Sequence, residues 1–191
     1  MAYVEYLDGL PAPNGSTCVV QANANTMRSF LYNRQVEQFL SRAVEEDLFE
    51  VYYQPVYSIR KKRFVTLEAL SRLRHPELGW ISPDVFIRLA EKNRLIDTLT
   101  DLQLRRVCRF LKSHENVARQ IDSVKVNLSA LNLMQERCAE RLIAILDEYA
   151  LPHRLFQFEI TETVATEYSS RLSRAVDAFS QADIGLCLDD F

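Results

Sequence analysis

Residues 126–129 read Val-Asn-Leu-Ser and residues 158–162 read Phe-Glu-Ile-Thr-Glu, and a helix-length segment separates these two stretches. Each is a short apolar run that carries an amide or an acid toward its carboxyl end. Three further runs share the pattern: Val-Tyr-Tyr-Gln-Pro at 51–55, Leu-Glu-Ala-Leu-Ser-Arg at 67–72 and Leu-Asp-Asp-Phe at 188–191. Strands that alternate with helices in this order predict a mostly parallel sheet with helices on the outside.

The spacing of these runs predicts a barrel of alternating strands and helices. In such a barrel the carboxyl ends of all strands lie on one face. Carboxylate and amide oxygens are the ligands that Mg²⁺ and Mn²⁺ prefer. The sequence therefore predicts a metal site on that face, built from residues that are far apart in the chain: Glu68, Asn127, Glu159 and Asp189.

The oxygen donors suit a site with two metal ions. Asp189 and Asp190 are adjacent, and neighbouring carboxylates repel each other unless a cation or protons intervene. Two Mg²⁺ or Mn²⁺ ions about 3.5–4 Å apart activate a water and stabilise the leaving oxygen in phosphodiester hydrolysis. Arg72 would offer a forked donor to a phosphate. Gln54 would either read a base edge with its amide or close the barrel floor.

Structural interpretations of the same residues stay open at this point. Glu68 and Arg72 are four residues apart and so lie on one strand face, where they would form a structural salt bridge. Asn127 would serve equally well as a turn or helix-cap residue. A zinc site is disfavoured, because the three histidines lack ligand spacing and no cysteine lies near a strand end.

The other segments predict the remaining elements. Residues 50–57 and 63–71 are predicted to pair as an antiparallel hairpin, because only the short basic turn at 60–63 joins them. Ser82 and Pro83 are the candidate N-cap and first residue of a helix. Apolar periodicity predicts further helices at about 30–48, 98–113, 133–149 and 167–181, and further strands at about 122–128, 155–161 and 185–190.

Composition excludes several classes of protein. The net charge of -3 over 191 residues gives no electrostatic reason to expect a nucleic acid polymer or an anionic membrane as a partner. No apolar run approaches the roughly 20 residues of a membrane span. The four cysteines form no C-x-x-C pair, and Cys108 and Cys138 fall on apolar faces of predicted helices. Buried free thiols in a reducing compartment are expected, which predicts a cytoplasmic location, although an absent region could still anchor the protein to a membrane.

Taken together, the motifs closely resemble the EAL domain family of bacterial phosphodiesterases, which hydrolyse the second messenger cyclic di-GMP to the linear dinucleotide pGpG. The resemblance covers roughly residues 35–191 and implies an α/β fold, a TIM-like barrel with one antiparallel strand. The residues that carry it are Tyr53-Gln54-Pro55, Glu68-Ala69-Leu70-Ser71-Arg72, Arg74-His75-Pro76, Ile81-Ser82-Pro83, Ala90-Glu91, Val126-Asn127-Leu128-Ser129, Glu159-Ile160-Thr161-Glu162-Thr163 and Leu188-Asp189-Asp190-Phe191.

The resemblance also implies a role for each matching residue. Gln54 corresponds to a contact with guanine and Arg72 to a contact with phosphate, whereas Glu162 corresponds to a glutamate that holds a mobile loop near a homodimer interface. Glu68, Asp189 and Asp190 would be catalytic. The ligands of the two-metal centre would be Glu68, Asn127, Glu159, Asp189 and Asp190.

Two expectations concern the extent of the chain. Residues 34–191 are expected to be the first five strands of the barrel, because the later lysine, glutamate and glutamine motifs of the family are absent, so this fragment alone is expected to be inactive. Residues 1–33 are expected to be a linker or the tail of an upstream sensor or GGDEF-type domain. A second hypothesis remains: a degenerate EAL module that binds cyclic di-GMP or a partner protein without hydrolysis.

Overall fold

The computed structural model describes the backbone of residues 24–161 and 169–189, with side chains at 25–160 and 173–188. Helices and strands alternate along most of the described chain. In order, the elements are α1 (Ala24–Glu45), β1 (Phe49–Ser58), β2 (Arg63–His75), β3 (Gly79–Ile81), α2 (Pro83–Lys92), α3 (Ile96–Ser113), α4 (Glu115–Gln120), β4 (Ser123–Asn127), α5 (Ala130–Met134), α6 (Cys138–Glu148), a 3₁₀ turn (His153–Leu155), β5 (Phe156–Thr161), α7 (Ser169–Gln181) and β6 (Gly185–Asp189).

The strands form one sheet in the order β1-β2-β4-β5-β6. Strand β1 is antiparallel to β2, whereas the pairs β2–β4, β4–β5 and β5–β6 are parallel. The predicted α/β class, with a mostly parallel sheet and one antiparallel strand, is therefore confirmed. Within the described ranges, β1 and β6 do not pair with each other, so the sheet is not closed.

The predicted hairpin is confirmed and is longer than expected. Strands β1 and β2 pair antiparallel, with Gln54 opposite Glu68 and Phe49 opposite Leu73. Strand β2 continues to His75 because the short strand β3 folds back and pairs with it, placing Trp80 opposite Arg74. Strand β3 was not predicted, since a three-residue strand leaves no periodic signal in the sequence.

The main core lies on the outer face of the sheet, beneath α3, α6 and α7. Alternate residues of β4 and β5 point into it, and Val126, Phe158 and Ile160 are almost completely buried there. The rings of Phe158 and Phe179 lie 4.9 Å apart, which fixes α7 over β5. Each such side chain contributes about 1.5–3 kcal/mol on burial. The period of two along the strands thus assigns their other face to the interior of the barrel.

Helix α1 forms a second core with β3 and α2. The predicted apolar face is confirmed, because Val36, Leu40 and Ala43 are fully buried, close to Phe86. The helix begins at Ala24 rather than near residue 30, and ends at Glu45 rather than 48. It therefore crosses the predicted boundary between residues 33 and 34, and that domain division stays a prediction.

The helix predicted at 133–149 is wrong in one respect, because the structure has two helices there, α5 and α6. The first begins after Ser129, whose Oγ accepts a hydrogen bond from the Leu131 amide at 3.1 Å. The chain then leaves helical geometry, and Arg137 takes a left-handed conformation with φ of 66°. Helix propensity and apolar spacing continue across this break, which is why the sequence alone did not reveal it.

The described cysteines are free thiols, and two of them are buried as predicted. Burial raises the pKa of Cys108 to about 12 and that of Cys138 to about 11. Cys187 is only half-buried, and Cys18 lies outside the described residues. Pro83 is the first residue of α2 as predicted, but the Ser82 side chain at the N-cap position makes no capping hydrogen bond.

Candidate active site

The predicted site residues lie on the inner face of the sheet, near the carboxyl ends of its strands. Asn127, the last residue of β4, is the register partner of Glu159 on β5. Glu68 on β2 is paired with Lys125, two residues before Asn127, so it lies one layer deeper in the sheet. Paired residues of neighbouring strands point to the same face, so the structure brings these three predicted donors to one surface.

The structure describes the last predicted donors, Asp189 and Asp190, only in part. The backbone of Asp189 pairs with that of Thr161, two residues beyond Glu159 along β5. The side chain of Asp189 lies outside the described residues, as do Glu162 and Asp190. Their predicted roles therefore stay predictions.

Glu159 is a buried carboxylate with a cationic partner. Only 4% of its side chain is exposed, and Lys125 donates a hydrogen bond from Nζ to Glu159 Oε1. The Sγ of Cys187, on β6, also lies 3.5 Å from Oε1, so the expectation that no cysteine lies near a strand end is wrong. A buried charge is costly unless it is paired and hydrogen-bonded, and Lys125 supplies that pairing. Lys125 was not among the predicted site residues. Its position two residues before Asn127 nevertheless indicates that both side chains lie on the same face of β4.

Arg72 does not form the alternative salt bridge with Glu68. Its Nη1 donates to the carbonyl of Ser71 at 3.0 Å, and its Cζ lies 5.7 Å from the centre of the Tyr52 ring. None of the ion pairs in the described part of the chain includes Arg72. A guanidinium held over an aromatic ring keeps its remaining N–H donors available to an anionic ligand. Gln54 is exposed on the same face, opposite Glu68.

The loop that follows Asn127 is held by a polar network that the sequence analysis also missed. Asn132 is fully buried, and its Oδ1 accepts hydrogen bonds from the Ser129 amide at 3.0 Å and the Thr100 hydroxyl at 3.2 Å. Its Nδ2 donates to Asp97 Oδ1 at 2.8 Å. Ser129, not Asn127, is therefore the cap of α5, and its hydroxyl donates to Glu91 Oε1. Asn127 is left exposed at the strand end.

The network continues to two further charged groups. Arg141 binds Asp97 Oδ1 at 2.9 Å and also forms an ion pair with Asp101. Burial raises the pKa of Asp101 above its usual range, although the hydrogen bond from Arg141 acts in the opposite direction. The network ties α3 to α5 and α6, and so fixes the end of β4 relative to the helices around it.

A cavity of about 490 Å³ opens at the same end of the strands, between the sheet and helices α2 and α3. Its polar lining includes Arg72, Asn127 and Glu159, and apolar side chains such as Ile87 and Leu99 form another part of the wall. A pocket that joins apolar walls to a few convergent polar groups is the usual form of a small-molecule site.

The donors fit a hard divalent cation by their chemistry. Asn127 and Glu159 offer an amide oxygen and a carboxylate from adjacent strands, and Glu68 offers a second carboxylate below them. Among the residues with described side chains there is no cluster of three or more His, Cys, Asp or Glu groups that could hold a metal. The predicted ligand set is not a cluster of this kind, because it includes the amide of Asn127 and the carboxylates of residues 189 and 190, whose side chains lie outside the described residues.

Comparison with known proteins identifies the family. The family model of the EAL domain matches residues 37–191. The chain belongs to the EAL domain family. It is 33% identical over 157 residues to the cyclic di-GMP phosphodiesterase NbdA of Pseudomonas aeruginosa, covering 82% of this chain and 20% of NbdA. The chain spans about a fifth of the length of the first curated relatives it matches.

Solved structures of EAL proteins share the fold. The PaMucR phosphodiesterase in complex with c-di-GMP superposes with a TM-score of 0.76 at 27% identity, covering 82% of this chain and 64% of that structure. The FimX EAL domain has a TM-score of 0.73 at 23% identity, with 82% and 62% covered. The predicted TIM-like barrel with one antiparallel strand is thus confirmed for the described part of this EAL domain, where the sheet is open.

Proposed function

We propose that this EAL domain belongs to a phosphodiesterase that hydrolyses cyclic di-GMP to pGpG in bacterial signalling. The observation that carries the proposal is that Asn127, Glu159 and Arg72 line one cavity, with Glu68 on the layer below. These are the residues that the sequence assigns to metal and phosphate. The named activity of NbdA, an EAL relative, supports the same reaction.

Magnesium or manganese would be held by the oxygen donors of the strand ends. When bound, the two ions activate a water and stabilise the leaving oxygen. The ligands in this proposal are Glu68, Asn127, Glu159, Asp189 and Asp190.

The other side chains position the substrate. Arg72, which lines the cavity, would bind a phosphate, and Gln54 would contact a guanine from the neighbouring strand. Glu162 would hold a mobile loop near the homodimer interface, as in the family that the motif resembles.

The wider setting is part of the same proposal. We infer a homodimer, an upstream sensor or GGDEF-type domain, and a location in the cytoplasm. Among the described helices, none is both long and apolar enough to cross a membrane.

A second candidate function is supported by one contact. Lys125 places an ammonium on Glu159, where the catalytic hypothesis needs a metal. In a degenerate EAL module, this cation would replace the metal permanently, and the protein would bind cyclic di-GMP without cleaving it. Binding of cyclic di-GMP without release of pGpG, at any concentration of Mg²⁺ or Mn²⁺, would favour this function.

The test is an assay of pGpG release by the full-length protein. Mg²⁺ or Mn²⁺ should support hydrolysis, whereas the larger Ca²⁺, with its looser geometry, should inhibit it. Glu68→Ala should lower turnover by roughly two orders of magnitude or more, because it removes a ligand, and should change the melting temperature little. Glu140→Ala, on the exposed face of α6, is the control. Full activity of Glu68→Ala would refute the assignment.

A further inference from the structure

Lys125 occupies an unusual place for a lysine, since it lies on a central strand with its side chain on the inner face of the sheet. Both register neighbours of β4 present polar groups at this level, Glu68 on one side and Gln157 on the other. The ammonium nevertheless contacts Glu159, one layer higher, at Oε1. Lys125 thus extends toward the carboxyl ends of the strands, into the group of candidate metal ligands.

The two partners of this ion pair differ in how firmly they are held. Glu159 is 4% exposed and stands on a strand that is paired on both sides. The side chain of Lys125 is 29% exposed and ends in a flexible four-carbon stem. When a metal cation approaches Glu159, it repels the ammonium of Lys125. Because Glu159 is held in place on its strand, Lys125 is the side chain that can move away into water.

The contacts to Glu159 also converge on a single oxygen. Within the described part of the chain, the contacts given for its carboxylate, from Lys125 Nζ and from Cys187 Sγ, both go to Oε1. A divalent ion that binds this carboxylate with its full charge competes with the ammonium for the same group. Even a cation that binds through Oε2 shares the charge of this carboxylate with the ammonium, so each weakens the binding of the other.

We infer that Lys125 is a resident counterion of the metal site: it neutralises Glu159 when no metal is bound and competes with an incoming divalent cation for this carboxylate, which lowers the affinity for metal. Lys125 then helps to set the concentration of Mg²⁺ or Mn²⁺ at which the site is filled. This inference rests on the proposed function, because it takes Glu159 as a metal ligand.

The expected effect follows from the strength of a charge-assisted hydrogen bond. Removing the ammonium removes a competitor, so a neutral side chain at position 125 should tighten metal binding by roughly 10-fold or more. Lys125→Gln keeps a hydrogen-bond donor for Glu159 and so limits the cost of leaving this carboxylate buried. Lys125→Arg keeps the positive charge and should keep an affinity close to that of the natural protein.

The experiment is a titration of the full-length protein with Mn²⁺, in which free Mn²⁺ is measured by electron paramagnetic resonance without any nucleotide. Lys125→Gln should lower the Kd roughly 10-fold or more, whereas Lys125→Arg should not. Lys92→Gln is the matched control, since it breaks an ion pair with Glu37 at 3.3 Å that lies in another part of the fold. Thermal melting of each variant checks that it is folded.

The outcomes separate this inference from the proposed function. An unchanged or weaker Mn²⁺ affinity in Lys125→Gln, with Glu159→Gln losing affinity, would overturn the counterion role and leave the metal site intact. Wild-type Mn²⁺ affinity in Glu159→Gln, or the absence of Mn²⁺ binding in every variant, would overturn both. Tighter binding in Lys125→Gln that is lost again in the Lys125→Gln, Glu159→Gln double variant supports the inference.

Discussion

At the scale of single residues, the candidate site depends on which charged groups are paired and which are kept available. Glu159 is paired with Lys125, whereas Arg72 lies over Tyr52, and no ion pair in the described part of the chain includes it. A carboxylate that is buried needs such a partner, but a guanidinium on an aromatic ring does not. Arg72 is therefore the group that is ready to bind an anion.

Replacing Arg72 tests this role directly. Arg72→Ala should weaken binding of cyclic di-GMP by roughly 10- to 150-fold, the effect of losing a charge-assisted hydrogen bond. Affinity for Mn²⁺ should stay nearly the same, because Arg72 offers no oxygen donor. Calorimetry with the full-length protein measures both, with Arg154→Ala, an exposed arginine just before β5, as the control. Equal nucleotide affinity in Arg72→Ala would exclude a phosphate contact.

The buried thiols give a second prediction at this scale. Because burial raises the pKa of Cys108 to about 12 and of Cys138 to about 11, very little thiolate is present at pH 8. Neither residue should be alkylated by iodoacetamide in the folded protein, and both should react once urea unfolds it. Peptide mass spectrometry distinguishes the sites. Rapid labelling of Cys108 under native conditions would show that this residue of α3 is not held against the main core.

At the scale of elements, the short helix α5 links the sheet to the helices around the site. It begins at Ala130, with Ser129 as its N-cap, shortly after the strand that ends in Asn127. Asn132 connects it to α3 through Thr100 and Asp97. These hydrogen bonds determine where the end of β4 lies. Asn132 therefore acts through the backbone, as a residue that positions Asn127.

Removal of this amide should destabilise the protein. Asn132→Ala leaves the Ser129 amide without its acceptor and Asp97 without one of its donors, whereas the Thr100 hydroxyl keeps the Ile96 carbonyl, so we expect a cost of about 1–3 kcal/mol. Urea unfolding measures the change, and Asn116→Ala, exposed on α4, should cost little. If Asn132→Ala were as stable as the control, water would have to replace all of its contacts.

At the scale of the whole molecule, the described sheet has two unpaired edges, β1 and β6. Large apolar side chains are exposed near the first of them, with Ile59 at 87% and Phe64 at 56%. Tyr52 and Trp80 are also about half exposed, on the inner face. Open strand edges and apolar patches favour association between chains.

We therefore expect the 191-residue chain, when it is produced by itself, to self-associate or to unfold in part and to release no pGpG. Light scattering, thermal melting and the pGpG assay test this expectation together. The same measurements on the full-length protein are the control. A stable monomer with a sharp two-state melt and measurable pGpG would contradict the prediction.

The sequence by itself determined the features that depend on local spacing. The sequence shows the alternation of apolar residues in β2, β4 and β5 and the apolar spacing in α1 and α6. These patterns are readable because they depend only on the geometry of a single strand or helix. The same motifs indicated the EAL family and the inward-facing Glu68, Asn127 and Glu159. Boundaries were less accurate, as the early start of α1 and the break at Arg137 demonstrate.

Only the tertiary structure decided which distant residues touch. The register between β2 and β4 puts Glu68 opposite Lys125 rather than Asn127, and a shift of one residue would have turned these side chains to the other face. The contact of Lys125 with Glu159 depends on that register. The burial of Asn132, a residue of α5, depends on the packing of α5 against α3. Such contacts join residues more than 30 positions apart, and no local pattern encodes them.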